Sequence, residues 1–312
     1  MLSYFDEVTF DRAGCLLGEY VLLPNAMILI RRDGCLLKSN VAWEEPRAAT
    51  AIDDYCATPE FSVSKAKLLE NWESMPRIDN PIVLSDPFLD NYYHFSLECV
   101  PRLRHFASYG ASPCLVPGDD VLRSFQTDLL GRLLGGRMWL PVTGALRVRN
   151  PLLSHDTMSQ EGVEWLRASA GIRAFPGHRN IYVRRSGRGT RTAAGGGISE
   201  SAAFLALLGE FGFEIVEFGD GGRTVEAQVA LLNGARLVLA AHGAALTNLA
   251  YLNPPLSVVE IVGLRTPRAV FMHVSSMLGL RHEALLSPDY DAQGNIIVDA
   301  EALRAAITAA LV

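Results

Sequence analysis

From Ile181 onward, apolar residues cluster in short runs separated by longer stretches of helical period. The runs Ile181–Arg184, Glu214–Phe218, Leu237–Ala240 and Val258–Ile261 are rich in β-branched residues and read as strands. Helices are predicted between and after them, over Ser199–Phe211, Thr224–Gly234, Ala244–Leu252 and Arg268–Leu280. Ser199 and Thr224 each precede an early acid and read as helix starts. A last helix runs from Asp299 to Leu311. Strict alternation of this kind predicts a doubly wound parallel sheet.

The first half is less regular. Residues 15–45 read as short strands, with Asn25–Ile30, a glycine turn at Arg31–Gly34 and Cys35–Leu37 forming a hairpin. Residues 50–80 read as mixed and loop-rich. Pro81–Leu84 is a buried strand, and Asp90–Phe106 a helix interrupted at Pro101. Cys114–Val116 and Val121–Leu134 add a strand and a helix, and residues 138–155 read as strands again. The loop Arg173–Asn180, with Pro176 and Gly177, is the expected boundary, giving domains 1–175 and 176–312.

Composition narrows the class. With 312 residues, 49% hydrophobic and 20% charged, the chain is globular. A formal net charge of −6 argues against a nucleic-acid partner. Five cysteines with no C-x-x-C spacing read as reduced thiols of a cytoplasmic protein. No apolar run approaches a membrane span, which leaves peripheral attachment to a membrane face open. Lysines occur only at positions 38, 65 and 67, so the positive charge is carried by arginine, whose fork suits phosphate.

Three segments carry candidate chemistry. At Ala240–Asn248 a strand ends in His242-Gly243-Ala244-Ala245 and a helix begins. Free N–H groups at such an end favour an anion, although a histidine there can equally serve only the turn. In Asn91–Leu103, His94 and Glu98 are four residues apart, so on a helix they share a face. They suit a general base, or a polar pair anchoring the helix. Arg184, Arg185, Arg188 and Arg191 lie among glycines after a strand, a cationic loop suited to a diphosphate. Glu260, an acid inside an apolar strand, requires a partner: a ribose hydroxyl pair, or an arginine such as Arg184. Asp289-Tyr290-Asp291 adjoins a turn signal and reads as turn chemistry, not a metal site. The spacings for dinucleotide binding, serine hydrolysis and zinc are all missing.

Together these segments resemble glycosyltransferase family 61, which includes bacterial capsule-type transferases and eukaryotic O-GlcNAc, xylosyl and arabinosyl transferases. Asn91-Tyr-Tyr-His94-Phe-Ser-Leu-Glu98-Cys-Val-Pro101-Arg102-Leu103 is similar to that family's N-Y-x-H-x-x-x-E/D-x-x-P-R-L segment. Ile181–Arg185 with Arg191 and Glu200, Gln228, and the run from Ala235 through His242–Asn248 to Glu260 follow in the same order. Ser199 stands where the family has asparagine. The resemblance implies a GT-B-like fold of two Rossmann-like α/β domains facing a cleft. It implies inverting transfer of a sugar from a nucleotide-diphosphate donor, expected to be a UDP-sugar, to a glycan hydroxyl in polysaccharide assembly. The expected base is His94 or Glu98. The expected donor contacts are Arg185, Arg191, His242, Gly243, Ala244, Ala245, Asn248 and Glu260. Asn91, Tyr93 and Arg102 are expected on the acceptor side. No cofactor or metal is expected. The alternative function is a non-catalytic nucleotide- or glycan-binding subunit of an assembly system.

Overall fold

A computed structural model describes residues 13–23, 28–36, 54, 56–84, 89–117, 122–154, 156, 158–185, 196–219, 222–265 and 267–312. The expected strand residues Asn25–Met27 and Leu37, the helix start at Val121 and the loop arginines Arg188 and Arg191 lie outside them. The chain divides into two compact units, Met1–Leu166 and Arg167–Val312.

Among the described residues the first unit holds two sheets. β1 (Ala13–Cys15), β2 (Glu19–Leu23) and β3 (Ile28–Arg31) are followed by α1 (Pro59–Glu70), β4 (Arg77–Asp79) and β5 (Ile82–Val83). Then come β6 (Cys114–Pro117), α2 (Ser124–Leu133), β7 (Trp139–Val142), β8 (Leu146–Arg149) and β9 (Leu152–Ser154). One sheet runs β1-β9-β5-β6-β7, the other β3-β2-β8-β4. Within the first, β9, β5, β6 and β7 are parallel and only β1 is antiparallel. This unit is therefore α/β but not a regular Rossmann-like domain. The β2–β3 and β2–β8 pairings are antiparallel. Residues 59–70, expected to be loop, form α1, capped by Thr58 Oγ1 accepting from Phe61 N–H at 3.1 Å. Burial pushes the Cys114 thiol up to about 12, so it behaves as a small core apolar group.

α3 (Gln160–Ala170) crosses the division between the units. The second unit continues with β10 (Arg179–Arg184), α4 (Ala202–Glu210), β11 (Phe213–Glu217), α5 (Val225–Leu231) and β12 (Ala235–Ala241). A 3-10 segment (Ala244–Tyr251), β13 (Ser257–Gly263), α6 (Val270–Met277), β14 (Arg281–Ser287) and α7 (Ala300–Leu311) complete it. The sheet order β11-β10-β12-β13-β14 is parallel throughout, as the alternation predicts. Numbered from β10, that is the doubly wound order 2-1-3-4-5. On one face Tyr182, Leu237, Leu239, Val259 and Ile261 pack against Phe204 and Leu207 of α4 and Leu303 and Ile307 of α7. Val258 and Glu260 alternate onto the opposite face, where α6 lies.

Two details depart from expectation. Ser199 does not start α4; its N–H bonds Ile296 O at 2.8 Å, and Ser201 is the cap. β14 was missed because Arg281-His282-Glu283 gives an edge strand a polar start. Among the described residues no helix is long and apolar enough to cross a membrane.

Gly177 and Gly234 meet backbone to backbone where the chain enters β10. A Cβ on Gly177 would lie 2.7 Å from Gly234 O, and rigid backbone cannot yield as a side chain would. Gly177→Ala should lower unfolding free energy by about 1–3 kcal/mol, measured by urea denaturation. An unchanged midpoint and slope would refute this close approach.

Candidate functional site

In a doubly wound sheet, the crevice opens outside the strand carboxyl ends where the winding reverses. Here that point lies between β10 and β12, which pair directly through Val183 and Ala240. The residues just beyond them are Arg184 and Arg185 on one side and Ala241 and His242 on the other.

The two arginines separate at once. Arg184 forks onto Glu200, with Nε to Oε1 at 2.6 Å and Nη2 to Oε2 at 2.7 Å, and reaches Glu217 at 3.4 Å. Tyr182 donates to the same Glu200 at 3.1 Å. Burial, and then the Glu200 charge, push the Tyr182 hydroxyl well above its ordinary range, so it remains a donor. Arg185 is exposed, and its Nη1 donates to Gly196 O at 3.0 Å. A Cβ on Gly196 would sit 2.6 Å from that nitrogen, and its φ of +121° also favours glycine. A Cβ on Gly243 would lie 3.7 Å from the same Nη1. The guanidinium therefore stands beside the His242-Gly243 turn.

That turn opens the 3-10 segment. Ala244 and Ala245 occupy its first turn, and the first backbone bond back into it is Leu246 N–H to Gly243 O at 2.9 Å. The leading N–H groups have no partner within the segment. Asn248 is fully buried, and its amide donates to Gln228 Oε1 at 3.2 Å and Ala245 O at 3.0 Å. It ties the segment to α5, and so shapes the turn from behind.

Glu260 is fully buried, and its protein partners are two histidines and not Arg184. His242 Nδ1 lies 2.6 Å from Oε1 and His282 Nε2 lies 3.0 Å from Oε2. Ser275 Oγ lies 2.8 Å from His282 Nδ1. The His242 ring packs on Phe271, with centroids 5.3 Å apart. Burial raises the Glu260 pKa, but hydrogen bonds and charge from the two imidazoles outweigh it, so the carboxyl stays below the ordinary range. With Nδ1–H given to Glu260, the second ring nitrogen of His242 is Nε2, on a side chain that is 20% exposed.

In the first unit, the connection leaving β5 carries His94 and Glu98. Residues His94–Cys99 form a π-helix and Val100–Phe106 a 3-10 helix. Pro101 supplies no N–H to continue an α-helix, and Val100 N–H instead reaches back five residues to Phe95 O. Asn91 Oδ1 accepts from Tyr93 N–H at 2.9 Å at the start of the turn. His94 Nδ1 and Glu98 Oε2 are 2.6 Å apart, on half-buried side chains. The Tyr93 ring meets His94 edge-on at 5.1 Å, and its hydroxyl bonds Glu98. Burial raises the Glu98 pKa, and bonds from His94 and Tyr93 with the Arg102 charge bring it below normal. Arg102 is buried, with Nε donating to Asp156 O at 2.9 Å; Arg104 and His105 meet the Asp156 carboxylate. These contacts anchor the π-helix at its C-terminal side.

Asp291 accepts from Gln293 N–H at 2.9 Å and Asn295 N–H at 2.8 Å, and from Ser199. It is turn chemistry, as expected. Among the described residues no group of three His, Cys, Asp or Glu could hold a metal ion.

The family model for glycosyltransferase 61 matches residues 92–259. The chain belongs to glycosyltransferase family 61, and is a transferase of the kind that takes a sugar donor and a glycan acceptor. The match takes in His94, Glu98, Arg185 and the His242 turn, and stops one residue before Glu260. No curated protein sequence matches the chain.

Sequence reasoning found Glu260 but not its partners. His282 sits on the missed strand, and only the alternation of His282 with Ala284 along β14 marked its face.

Because Glu260 has a lower pKa folded than unfolded, its stabilisation is complete above the ordinary carboxyl value near 4.5 and is lost as pH falls through the folded value. Glu260→Gln should cost about 2–4 kcal/mol at pH 7. In denaturant titrations the gap from wild type should narrow below pH ~4.5. A gap constant down to pH 3 would refute an ionised Glu260.

Proposed function

We propose that this transferase moves a sugar from a UDP-sugar to a hydroxyl of a growing glycan, with inversion at the sugar carbon. The labour is divided in GT-B fashion: the second unit holds the donor, and the first supplies the base and the acceptor contacts, including Asn91 and Tyr93. The reaction takes place on the cytoplasmic side, within polysaccharide assembly. What carries this proposal is the meeting of Arg185 with the His242-Gly243 turn at the switch point of a doubly wound sheet, in a chain of this family.

The acceptor O–H loses its proton to His94 Nε2 as its oxygen bonds the anomeric carbon. The bond from that carbon to the diphosphate breaks on the opposite face, and the electron pair stays with the diphosphate. His94 is the base because Glu98 is held ionised at low pKa and is a weak proton acceptor near neutrality. Glu98 fixes the hydrogen on Nδ1 and so makes Nε2 the ring's proton-accepting nitrogen. The charge developing on the diphosphate is met by Arg185, Arg191, the leading N–H groups of Ala244 and Ala245, and His242. A protonated His242 donates from Nε2 to phosphate while Nδ1 still bonds Glu260. Glu260 then acts through His242 and not on the ribose.

His94→Ala should lower the transfer rate by about 10²–10⁴-fold and leave UDP affinity unchanged. Glu98→Ala should lose less, because its role is orientation. Transfer at the wild-type rate by both variants would remove the base assignment. Separately, Arg185→Ala should weaken UDP binding about tenfold in calorimetry, with Arg191→Ala in the same direction. In a thermal-shift panel of UDP, GDP and CMP, UDP should stabilise most. Equal Kd values for wild type and Arg185→Ala would end its phosphate role.

A further inference from the structure

Ser275 and His282 lie beyond the residues matched by the family model, and nothing proposed above uses them. Yet three elements converge on Glu260. β12 leads into His242, β14 presents His282 and α6 presents Ser275. The register pairs Val258 with His282 and Glu260 with Ala284, so Glu260 and His282 share a face of adjacent parallel strands.

The hydrogens in this chain of groups can be placed in one consistent way. An ionised carboxylate only accepts, so both ring nitrogens facing Glu260 carry hydrogen. His282 therefore holds Nε2–H, and in the neutral ring its Nδ1 accepts from the Ser275 hydroxyl at 2.8 Å. His242 holds Nδ1–H, and Nε2 is its outward nitrogen. The two rings are not equivalent. The His242 side chain is 20% exposed and that of His282 is 5% exposed. One meets the site, and the other is enclosed.

We infer that His282, oriented by Ser275, is a positioning residue for His242. By occupying Oε2 of Glu260, it turns Oε1 onto His242 Nδ1 and keeps Nε2 directed at the anion. This rests on the assignment of His242 to the donor diphosphate and extends it to a second imidazole. Without His282, one oxygen of a fully buried carboxylate loses its donor. The carboxyl can then take a proton and donate it to His242 Nδ1. That would reverse the tautomer and take away the carboxylate charge that favours the ring with hydrogen on both nitrogens, the form that donates to the anion.

The test is ring-nitrogen NMR on full-length protein labelled with 15N-histidine, combined with UDP titration. His242→Gln identifies the His242 signals. In wild type at alkaline pH, His242 should carry its hydrogen on Nδ1. His282→Gln, whose amide can still donate to Glu260, should keep that signature and a UDP Kd within about threefold of wild type. His282→Leu should give mixed tautomers and bind UDP about tenfold more weakly. If His282→Leu does not fold, His282→Asn, whose amide stops short of Glu260, takes its place with the same expectation. A folded His282→Leu or His282→Asn that keeps the wild-type His242 spectrum overturns the inference. Mixed tautomers with an unchanged UDP Kd support the positioning role while removing His242 from the diphosphate, so the two assignments fail separately.

Discussion

The second unit is organised around the burial of one negative charge. Taking a carboxylate out of water costs on the order of several kcal/mol unless partners replace its hydration. Glu260 sits on β13 with no exposed surface, in a sheet whose neighbouring positions are valine and isoleucine. Its two oxygens are met by histidines from the strands on either side, and one of these is backed by a serine from the covering helix. β12, β13, β14 and α6 must all be in place for that carboxylate to be tolerated. The same demand that ties them together fixes the His242 ring at the edge of the crevice.

The two imidazoles of the candidate machinery are held alike and built differently. Each holds Nδ1 2.6 Å from a carboxylate, which fixes the ring's orientation. For His94 the partner is on the same stretch of helix, so the pair forms as the helix forms. For His242 the partner is on the next strand, so the pair exists only once the sheet is assembled. The local pair lies in a π-helix just before Pro101, where regular helical bonding is already broken. The non-local pair lies where regular sheet bonding ends. Both are places where the backbone leaves side chains uncommitted by secondary structure.

Much of this was legible in the residues. The parallel sheet follows from strands and helices that alternate from Ile181 onward, and the structure gives it the 2-1-3-4-5 order. The switch point then follows from topology, and His242 and Arg185 fall at it by position alone. The H-x-x-x-E spacing of His94 and Glu98 survives the change from an α- to a π-helix, because four residues still bring the two side chains within hydrogen-bond reach. Other features left no local trace. Arg184 and Arg185 are identical neighbours in sequence. Strand alternation turns Arg184 to Glu200, while Arg185 is left beyond the strand next to Gly243. Arg102 looks like a ligand-facing cation and is instead buried on Asp156.

By itself, the sequence determined the periodicities, and with them the parallel sheet and the chemistry present at its strand ends. Those depend on near neighbours: alternation along a strand, helical period, and the special backbone of glycine and proline. It also showed that Glu260 required a partner, since an acid in an apolar strand cannot stand alone. Only the tertiary structure decided which partner. His282 reaches Glu260 across a parallel pairing of strands separated by a whole crossover helix, and hydrogen-bond geometry over that distance is set by packing, not by spacing.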